Sequence, residues 1–187
     1  MKRIIVGISG ASGLELGIRF IDALPSELEK YCILSQGAKR ILALENLRGM
    51  QKATNVLWLE DNDLGACISS GSFYCEAMAI IPCSMNTLAK IANGIADTLI
   101  TRSASVMLKE QRKLLLAPRE MPLSAIALEN MLKLSRLGVG IAPPIFGYYA
   151  LEATQNLESM EQFFIGKWLD MLQIPCDYNR WCGNQNH

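Results

Sequence analysis

The chain has 187 residues, half of them hydrophobic, and its 18 Lys and Arg side chains balance its 18 Asp and Glu side chains. This length suits one domain with a real core, and a neutral chain is a poor partner for nucleic acid or an anionic membrane. No apolar run reaches the ~18 residues of a transmembrane helix, and the apolar N-terminal stretch is too short for a signal peptide. The sequence therefore predicts a cytoplasmic protein without a membrane span.

Short β-rich runs alternate with segments of helical length along the chain. The predicted strands are Arg3–Ile8, Tyr31–Ser35, Ala77–Pro82, Leu114–Ala117 and Val139–Ala142. The predicted helices are Gly13–Leu24, Ala38–Leu47, Thr87–Asn93, Leu99–Lys113 and Ser124–Leu137. This alternation is typical of a doubly wound, mainly parallel α/β sheet with helices on both faces.

A last helix is predicted from a capping box, Ser159-Met-Glu-Gln162, which an apolar stripe follows. The stripe recurs at helical spacing and comprises Met160, Phe163, Phe164, Trp168, Met171 and Leu172. Lys167 falls within it. A lysine there either extends its ammonium to solvent or binds an anion, because burying an unpaired charge costs several kcal/mol.

The first strand runs into a glycine-rich turn, Gly-Ile-Ser-Gly-Ala-Ser-Gly, that spans residues 7–13. Glycines allow a tight turn and close backbone approach, and the helix N-terminus beyond them favours an anion. Ser9 and Ser12 add hydroxyl donors. The pattern is neither the Rossmann nor the Walker motif, so a phosphate-binding turn and a merely structural turn both remain open.

Two further strand ends carry polar residues at the same predicted edge of the sheet. Pro82-Cys-Ser-Met-Asn-Thr87 places hydroxyl and amide groups before a helix, although helix capping alone would explain Ser84 or Thr87. In Pro118-Arg-Glu-Met-Pro122, the Arg119 guanidinium can bind phosphate or a flavin carbonyl with two hydrogen bonds, and Glu120 is a candidate acid or base. A solvated ion pair is the alternative for these two residues.

The remaining polar segments and the cysteines give weaker indications of function. Lys109-Glu-Gln-Arg112 and Ser69-Ser-Gly-Ser72 add donors and charge, and we interpret Glu110 and Arg112 as a solvated helix face. The six cysteines form no C-x-x-C pair and the single histidine is His187, so we expect reduced, mostly buried thiols and no metal site.

Taken together and in order, the motifs resemble one family. They are Gly-Ile-Ser-Gly-Ala-Ser-Gly, Ser-Ser-Gly-Ser-Phe, Pro-Cys-Ser-x-x-Thr-Leu, Leu-Lys-Glu-x-Arg, Pro-Arg-Glu-x-Pro and Glu-Asn-Met-Leu-Lys-Leu-Ser. The chain resembles the UbiX-type flavin prenyltransferases from about Lys2 to Trp181. The resemblance implies a flavodoxin-like or Rossmann-like domain over residues 1–175, a tail over 176–187 that contributes to the site or an interface, and a homododecamer with sites at subunit interfaces.

The resemblance also implies the ligands and the residues that hold them. FMN is expected on Gly10, Ala11, Ser12, Ser35, Ser84, Met85, Asn86, Thr87 and Arg119. Dimethylallyl monophosphate is expected on Lys109, Arg119, Glu120, Tyr149 and Lys167. Glu45 and Trp181 fall on active-site positions of the family, Glu120 would protonate the departing phosphate, and Ser12 would relay the proton lost from the flavin.

The implied reaction joins the dimethylallyl group to N5 and C6 of reduced FMN, without a metal, to supply prenylated FMN to a UbiD-type decarboxylase, as in ubiquinone biosynthesis. Rival interpretations are less suited to this chain. Flavin-dependent cysteine decarboxylases rely on an internal histidine, and His187 is terminal. A direct aromatic acid decarboxylase is a further alternative. A redox carrier has no need for a lysine and an arginine–glutamate pair beside the flavin.

Overall fold

The computed structural model describes residues 2–44, 55–145, 157–178 and 180. Its strands are β1 Arg3–Ile8, β2 Glu29–Leu34, β3 Val56–Glu60, β4 Ala77–Cys83, β5 Lys113–Pro118 and β6 Gly140–Ile141. Its helices are α1 Leu14–Asp22, α2 Gln36–Leu44, α3 Met85–Ala92, α4 Leu99–Lys109, α5 Ala125–Arg136 and α6 Leu157–Met171, with a 3₁₀ turn at Cys67–Ser69.

The strands form one parallel sheet in the order β3-β2-β1-β4-β5-β6. This is the doubly wound order of Rossmann-like domains, in which the winding reverses between β1 and β4. Ligands of such sheets bind outside the carboxyl ends of the strands at this reversal. The order therefore locates a candidate site where β1 and β4 end.

Both faces of the sheet are covered, which explains its uninterrupted apolar runs. Alternate residues of each central strand enter opposite cores: Ile4 and Val6 pack with α1 and α6, whereas Ile5 packs with α3 and α4. β4 is buried along its whole length. The predicted α/β class and parallel sheet are confirmed.

Several predicted element boundaries were wrong. β3 was not predicted, because its residues Val56–Glu60 are only partly buried at the sheet edge and show no clean alternation. The predicted helix Leu99–Lys113 ends at Lys109, Gln111 has a positive φ of 53°, and a strand already begins at Lys113.

The capping box predicted at Ser159 was also wrong, since α6 begins at Leu157 and Ser159 lies inside it. The buried face of α6 includes Phe164, Trp168 and Leu172 as predicted, but Met171 is exposed. The apolar stripe also excludes Lys167, whose side chain is exposed. The buried face instead includes Glu161, which pairs with Arg19 of α1 at 3.0 Å.

Among the described residues no helix is long and apolar enough to cross a membrane. The cysteines in the same residues are free thiols; Cys32, Cys75 and Cys83 are buried, whereas Cys67 is exposed.

Candidate active site

The turn after β1 approaches the start of α2 so closely that Gly10 has no room for a side chain. A Cβ built on Gly10 would lie 2.9 Å from the carbonyl carbon of Gly37 and 3.0 Å from its Cα. Gly13 precedes α1 with a φ of 90°, a conformation that glycine adopts at little cost. The glycines of the motif are thus explained by a backbone-lined cradle between two loops.

The N-terminus of α1 carries no side-chain cap, unlike its neighbours. Ser35, Ser84 and Ser124 each accept a backbone N–H at the start of α2, α3 and α5 respectively. An uncapped helix start leaves N–H groups and the positive end of the helix dipole for an anion. Ser12 lies beside it and is exposed. The turn therefore suits a phosphate group.

Ser9 has a different role from the one its sequence position suggested. It is fully buried, its hydroxyl donates to the Pro82 carbonyl at 3.0 Å, and it accepts the Ser84 N–H at 2.7 Å. The Ser9 N–H also donates to Pro82 at 3.1 Å. The prediction of Ser9 as a ligand donor was wrong, because its hydroxyl joins the ends of β1 and β4.

The loop after β4 combines helix capping with exposed polar groups. The Ser84 hydroxyl accepts the Thr87 N–H at 3.3 Å and lies 3.0 Å from the Thr87 hydroxyl. Both alternatives for this loop therefore hold in part: Ser84 and Thr87 cap α3, while Asn86 is exposed at the sheet edge. Burial raises the pKa of the Cys83 thiol, which disfavours a thiolate nucleophile in this loop.

The loop after β5 brings Glu120 to the same edge. The Arg119 N–H donates to the Cys83 carbonyl at 3.3 Å, which ties the ends of β5 and β4 together. A cavity of about 380 Å³ lies between the two loops and is lined by Glu120, Met85, Asn86 and residues of α5. Arg119 and Glu120 are both exposed, and among the described residues they form no ion pair with each other, so the two alternatives for them stay open.

Within a single subunit, Lys109 does not lie at this edge of the sheet. α4 starts beside the end of β3, where the Leu99 N–H donates to the Asp61 carbonyl at 2.7 Å. Ten residues later it ends at Lys109, roughly 15 Å along the helix axis. Lys109 pairs there with Glu110 beside Gly71, at the amino edge of the sheet.

Lys167 does not line the cavity between the loops at the carboxyl edge. It is exposed on α6, and within the described residues its ammonium has no hydrogen bond or ion pair. Glu45, Tyr149 and Trp181 lie outside the described residues. The structure thus assembles the expected flavin-binding loops and Glu120, but not the expected cations Lys109 and Lys167.

Another cavity, of about 690 Å³, lies between the end of α1, α6 and the tail. It contains none of the predicted site residues, and its lining includes Arg19, Glu161 and Tyr178. Burial raises the pKa of Glu161, against the opposing effect of Arg19. Within the described part of the chain, no cluster of three or more potential metal ligands occurs.

Sequence reasoning missed Gly37 and Gly166 as site-related residues. Gly37 lies two residues after Ser35, and its backbone is the surface against which Gly10 packs. Gly166 interrupts an otherwise good helix, and a helix-interior glycine costs about 1 kcal/mol relative to alanine, which was the available signal. In both cases the partner that needs the glycine is distant in sequence.

Comparison with known proteins identifies the family. The Flavoprotein family profile matches residues 1–163. The flavin prenyltransferase UbiX of Helicobacter pylori is 50% identical over 186 residues, which cover 96% of this chain and 98% of that protein. The chain belongs to the UbiX-type flavin prenyltransferase family.

Two solved structures of this family are similar to the chain throughout. A dodecameric FMN-dependent UbiX-like decarboxylase from Escherichia coli O157:H7 shares 41% identity, with a TM-score of 0.89 over 97% of this chain and all of that one. AnUbiX (PadA1), in complex with FMN and dimethylallyl pyrophosphate, shares 38% identity, with a TM-score of 0.87 over 97% of this chain and 98% of that one.

Proposed function

We propose that the chain transfers a dimethylallyl group from dimethylallyl monophosphate to N5 and C6 of reduced FMN. The observation that carries this proposal is the convergence of the family's loops on one sheet edge: the turn at Gly10, the Ser84–Thr87 loop and the Arg119–Glu120 pair. They meet at the reversal point of the sheet in a chain 50% identical to a flavin prenyltransferase.

The described loops fit FMN. Gly10 lets the turn after β1 lie against the backbone at Gly37, and α1 offers an uncapped N-terminus. Gly10, Ala11, Ser12, Ser35, Ser84, Met85, Asn86, Thr87 and Arg119 would hold the group. Reduced FMN supplies the nucleophilic nitrogen and carbon that accept the prenyl group.

The chain's own residues would manage the leaving group and the protons. Transfer to N5 breaks the carbon–oxygen bond of the donor, so the phosphate leaves with the bonding electrons and gains charge. Ring closure would then use the carbon–carbon double bond of the transferred group: one of its carbons would bond to C6, the other would take up a proton, and C6 would release one. Arg119 can bind that phosphate with its fork, and Glu120, if protonated, can donate a proton to it. Ser12 would pass on the proton that N5 releases. Tyr149 and Trp181 would exclude water from the reacting allyl carbon.

Lys109 would act in a neighbouring subunit's site. It lies at the opposite sheet edge from Glu120 in its own subunit, and the E. coli relative is dodecameric. Mixed oligomers of Lys109→Ala and Glu120→Gln subunits test this. If the two residues meet across an interface, about a quarter of the sites in an equal mixture carry both and regain activity. If both act within one subunit, mixing two inactive proteins restores nothing.

The function itself is tested by incubating the purified protein with reduced FMN and dimethylallyl monophosphate under anaerobic conditions. Mass spectrometry should show FMN heavier by one dimethylallyl group. The pyrophosphate donor, present in the AnUbiX complex, forms a parallel arm that establishes donor preference. A flavin of unchanged mass with either donor would refute the prenyltransferase proposal. Carbon dioxide release from an aromatic acid by this chain alone would support the decarboxylase alternative.

The product would be a cofactor for a UbiD-type decarboxylase, as in ubiquinone biosynthesis. This link, a cytoplasmic location and the homododecamer are part of the proposal. Adding the filtered reaction product to such an apo-decarboxylase should restore its activity, whereas unmodified FMN should not.

A further inference from the structure

The backbone ladder between β1 and β4 ends before the loops that follow these strands. Its residue pairs run from Ile4 with Ala77 to Gly7 with Ile80. Pro82, two residues further along β4, has no N–H with which to extend the ladder. The strand order reverses between these two strands, and ligands of such sheets bind where the strands end. The two strand ends that a ligand would contact therefore need another connection.

Ser9 supplies that connection with a buried side chain. Its N–H and its hydroxyl donate to the Pro82 carbonyl at 3.1 and 3.0 Å, and its hydroxyl oxygen accepts the Ser84 N–H at 2.7 Å. Because Ser9 is inaccessible to solvent, water does not compete for these bonds. The hydroxyl therefore sets how the turn after β1 lies against the loop after β4.

Ser84 passes this constraint to the start of α3. Its hydroxyl accepts the Thr87 N–H at 3.3 Å, and its carbonyl accepts the Leu88 N–H at 3.0 Å. The N–H, hydroxyl and carbonyl of Ser84 are thus all bound within the protein, which fixes the direction in which the helix starts. The N–H groups of Met85 and Asn86, in its first turn, have no acceptor among the described residues. The orientation of Ser84 therefore decides where these two donors are offered to a ligand.

The other side of this loop is held independently of Ser9. The Arg119 N–H donates to the Cys83 carbonyl at 3.3 Å, and Cys83 pairs with Pro118 of β5. Loss of the Ser9 hydroxyl would leave the loop attached to β5 but free to shift against the turn after β1. The hydroxyl thus controls the geometry between two loops more than the formation of the sheet.

We infer that Ser9 is a positioning residue for FMN, which holds the loop after β4 and the first donors of α3 in place beside the glycine-rich turn after β1. Ser9 itself is buried and acts through Pro82 and Ser84. The inference rests on the proposed function in placing FMN at this reversal of the sheet, a position that the strand order also indicates. A loop that keeps the binding geometry in only a fraction of the molecules weakens the apparent affinity by that fraction.

The test compares Ser9→Ala, Ser9→Cys and Ser9→Thr in the full-length protein. Alanine removes the hydroxyl, cysteine replaces it with a weaker acceptor, and threonine keeps it. The control is Leu24→Ala, which truncates a buried side chain beyond the far end of α1 and so lowers stability away from the loops. FMN titration gives the Kd, the absorbance of bound flavin reports its surroundings, hydrogen exchange reports on residues 84–88, and urea midpoints report stability.

We expect Ser9→Ala to raise the Kd of FMN about tenfold, as if about a tenth of the molecules kept the competent loop geometry. Ser9→Thr should bring the Kd back to within about threefold of the wild type, because the hydroxyl is restored. Ser9→Cys should fall between them and remains informative if Ser9→Ala does not fold. Leu24→Ala should leave the Kd within about twofold of the wild type even where its urea midpoint falls as far.

The exchange and absorbance data separate positioning from a general loss of stability. In Ser9→Ala, exchange at residues 84–88 should quicken relative to exchange in β1 and β4, and the bound-flavin spectrum should shift. Leu24→Ala should show neither effect. A Kd for Ser9→Ala no weaker than that of Leu24→Ala would overturn the positioning role, and so would a weak Kd in Ser9→Thr while residues 84–88 stay protected.

FMN binding is measured without a prenyl donor, so the two proposals fail separately. If the wild type binds FMN but never changes its mass, prenyl transfer is refuted and the result for Ser9 stands. If the wild type prenylates FMN and Ser9→Ala binds FMN as Leu24→Ala does, only the role of Ser9 is refuted.

Discussion

Replacing Ser9 by alanine isolates the physical connection between β1 and β4. The hydroxyl makes two hydrogen bonds, at 3.0 Å to Pro82 and 2.7 Å from the Ser84 N–H, and solvent has no access to it. Pro82 keeps the Ser9 N–H as a donor, but the Ser84 N–H loses its partner. Loss of the hydrogen bond to the Pro82 carbonyl costs about 1 kcal/mol. Loss of the bond from the Ser84 N–H costs about 1–3 kcal/mol, because that N–H is left without a partner.

The expected loss for Ser9→Ala is therefore about 2–4 kcal/mol in the free energy of unfolding. Urea denaturation at one fixed protein concentration measures it, since an oligomer's apparent stability depends on concentration. Ser12→Ala is the matched control, because Ser12 is a nearby serine in the same turn whose side chain is exposed. Removing its hydroxyl should lower the free energy of unfolding by less than about 0.5 kcal/mol while altering flavin turnover. A loss below about 0.5 kcal/mol for Ser9→Ala would refute the assignment of Ser9 as a structural link.

Three further predictions concern charge. Glu120→Gln should keep FMN bound while product formation falls about 10²–10⁴-fold, and near-normal turnover would remove Glu120 from the mechanism. Lys167→Ala should raise the KM of the prenyl donor more than the Kd of FMN; equal losses in titration would contradict its role. Because hydrogen bonding from Arg180 lowers the pKa of Asp170 to about 2, the stability gap between wild type and Asp170→Asn should be constant above about pH 5 and close as the pH falls toward 2. Urea midpoints measured across that range test the sign, and a constant gap would contradict it.

The sequence predicted the central sheet well because each central strand is an apolar run buried on both faces. β1 and the run Ala77–Pro82 were predicted nearly to the residue. β3 was missed because an edge strand with exposed residues lacks that signal. Local patterns also misplaced the start of α6, where a capping-box motif at Ser159 lies inside the helix.

The site was predictable in its loops but not in its long-range contacts. The glycine-rich turn and the polar strand ends were found, since parallel strands bring their carboxyl ends together. The burial of Ser9 could not be inferred, because its partners Pro82 and Ser84 are more than 70 residues away. The role of Gly166 likewise depends on a tail residue, Tyr178, that packs against it in three dimensions.

The two residues proposed to act on the phosphate, Glu120 and Lys109, lie at opposite edges of the sheet in one subunit. Glu120 is exposed at the carboxyl edge, yet protonating a leaving phosphate beside a reactive allyl carbon requires that water be excluded. Around it the side chains of Met121, Leu123 and Ile126 are 88%, 41% and 72% exposed. An apolar rim of this kind is typical of a surface that another chain covers. If a neighbouring subunit covers this apolar surface and presents Lys109, the same subunit contact would exclude water from the site and add a second cation that binds the phosphate. Ile126 lines the same cavity as Glu120, and a charge substitution there should then abolish turnover and oligomer formation together.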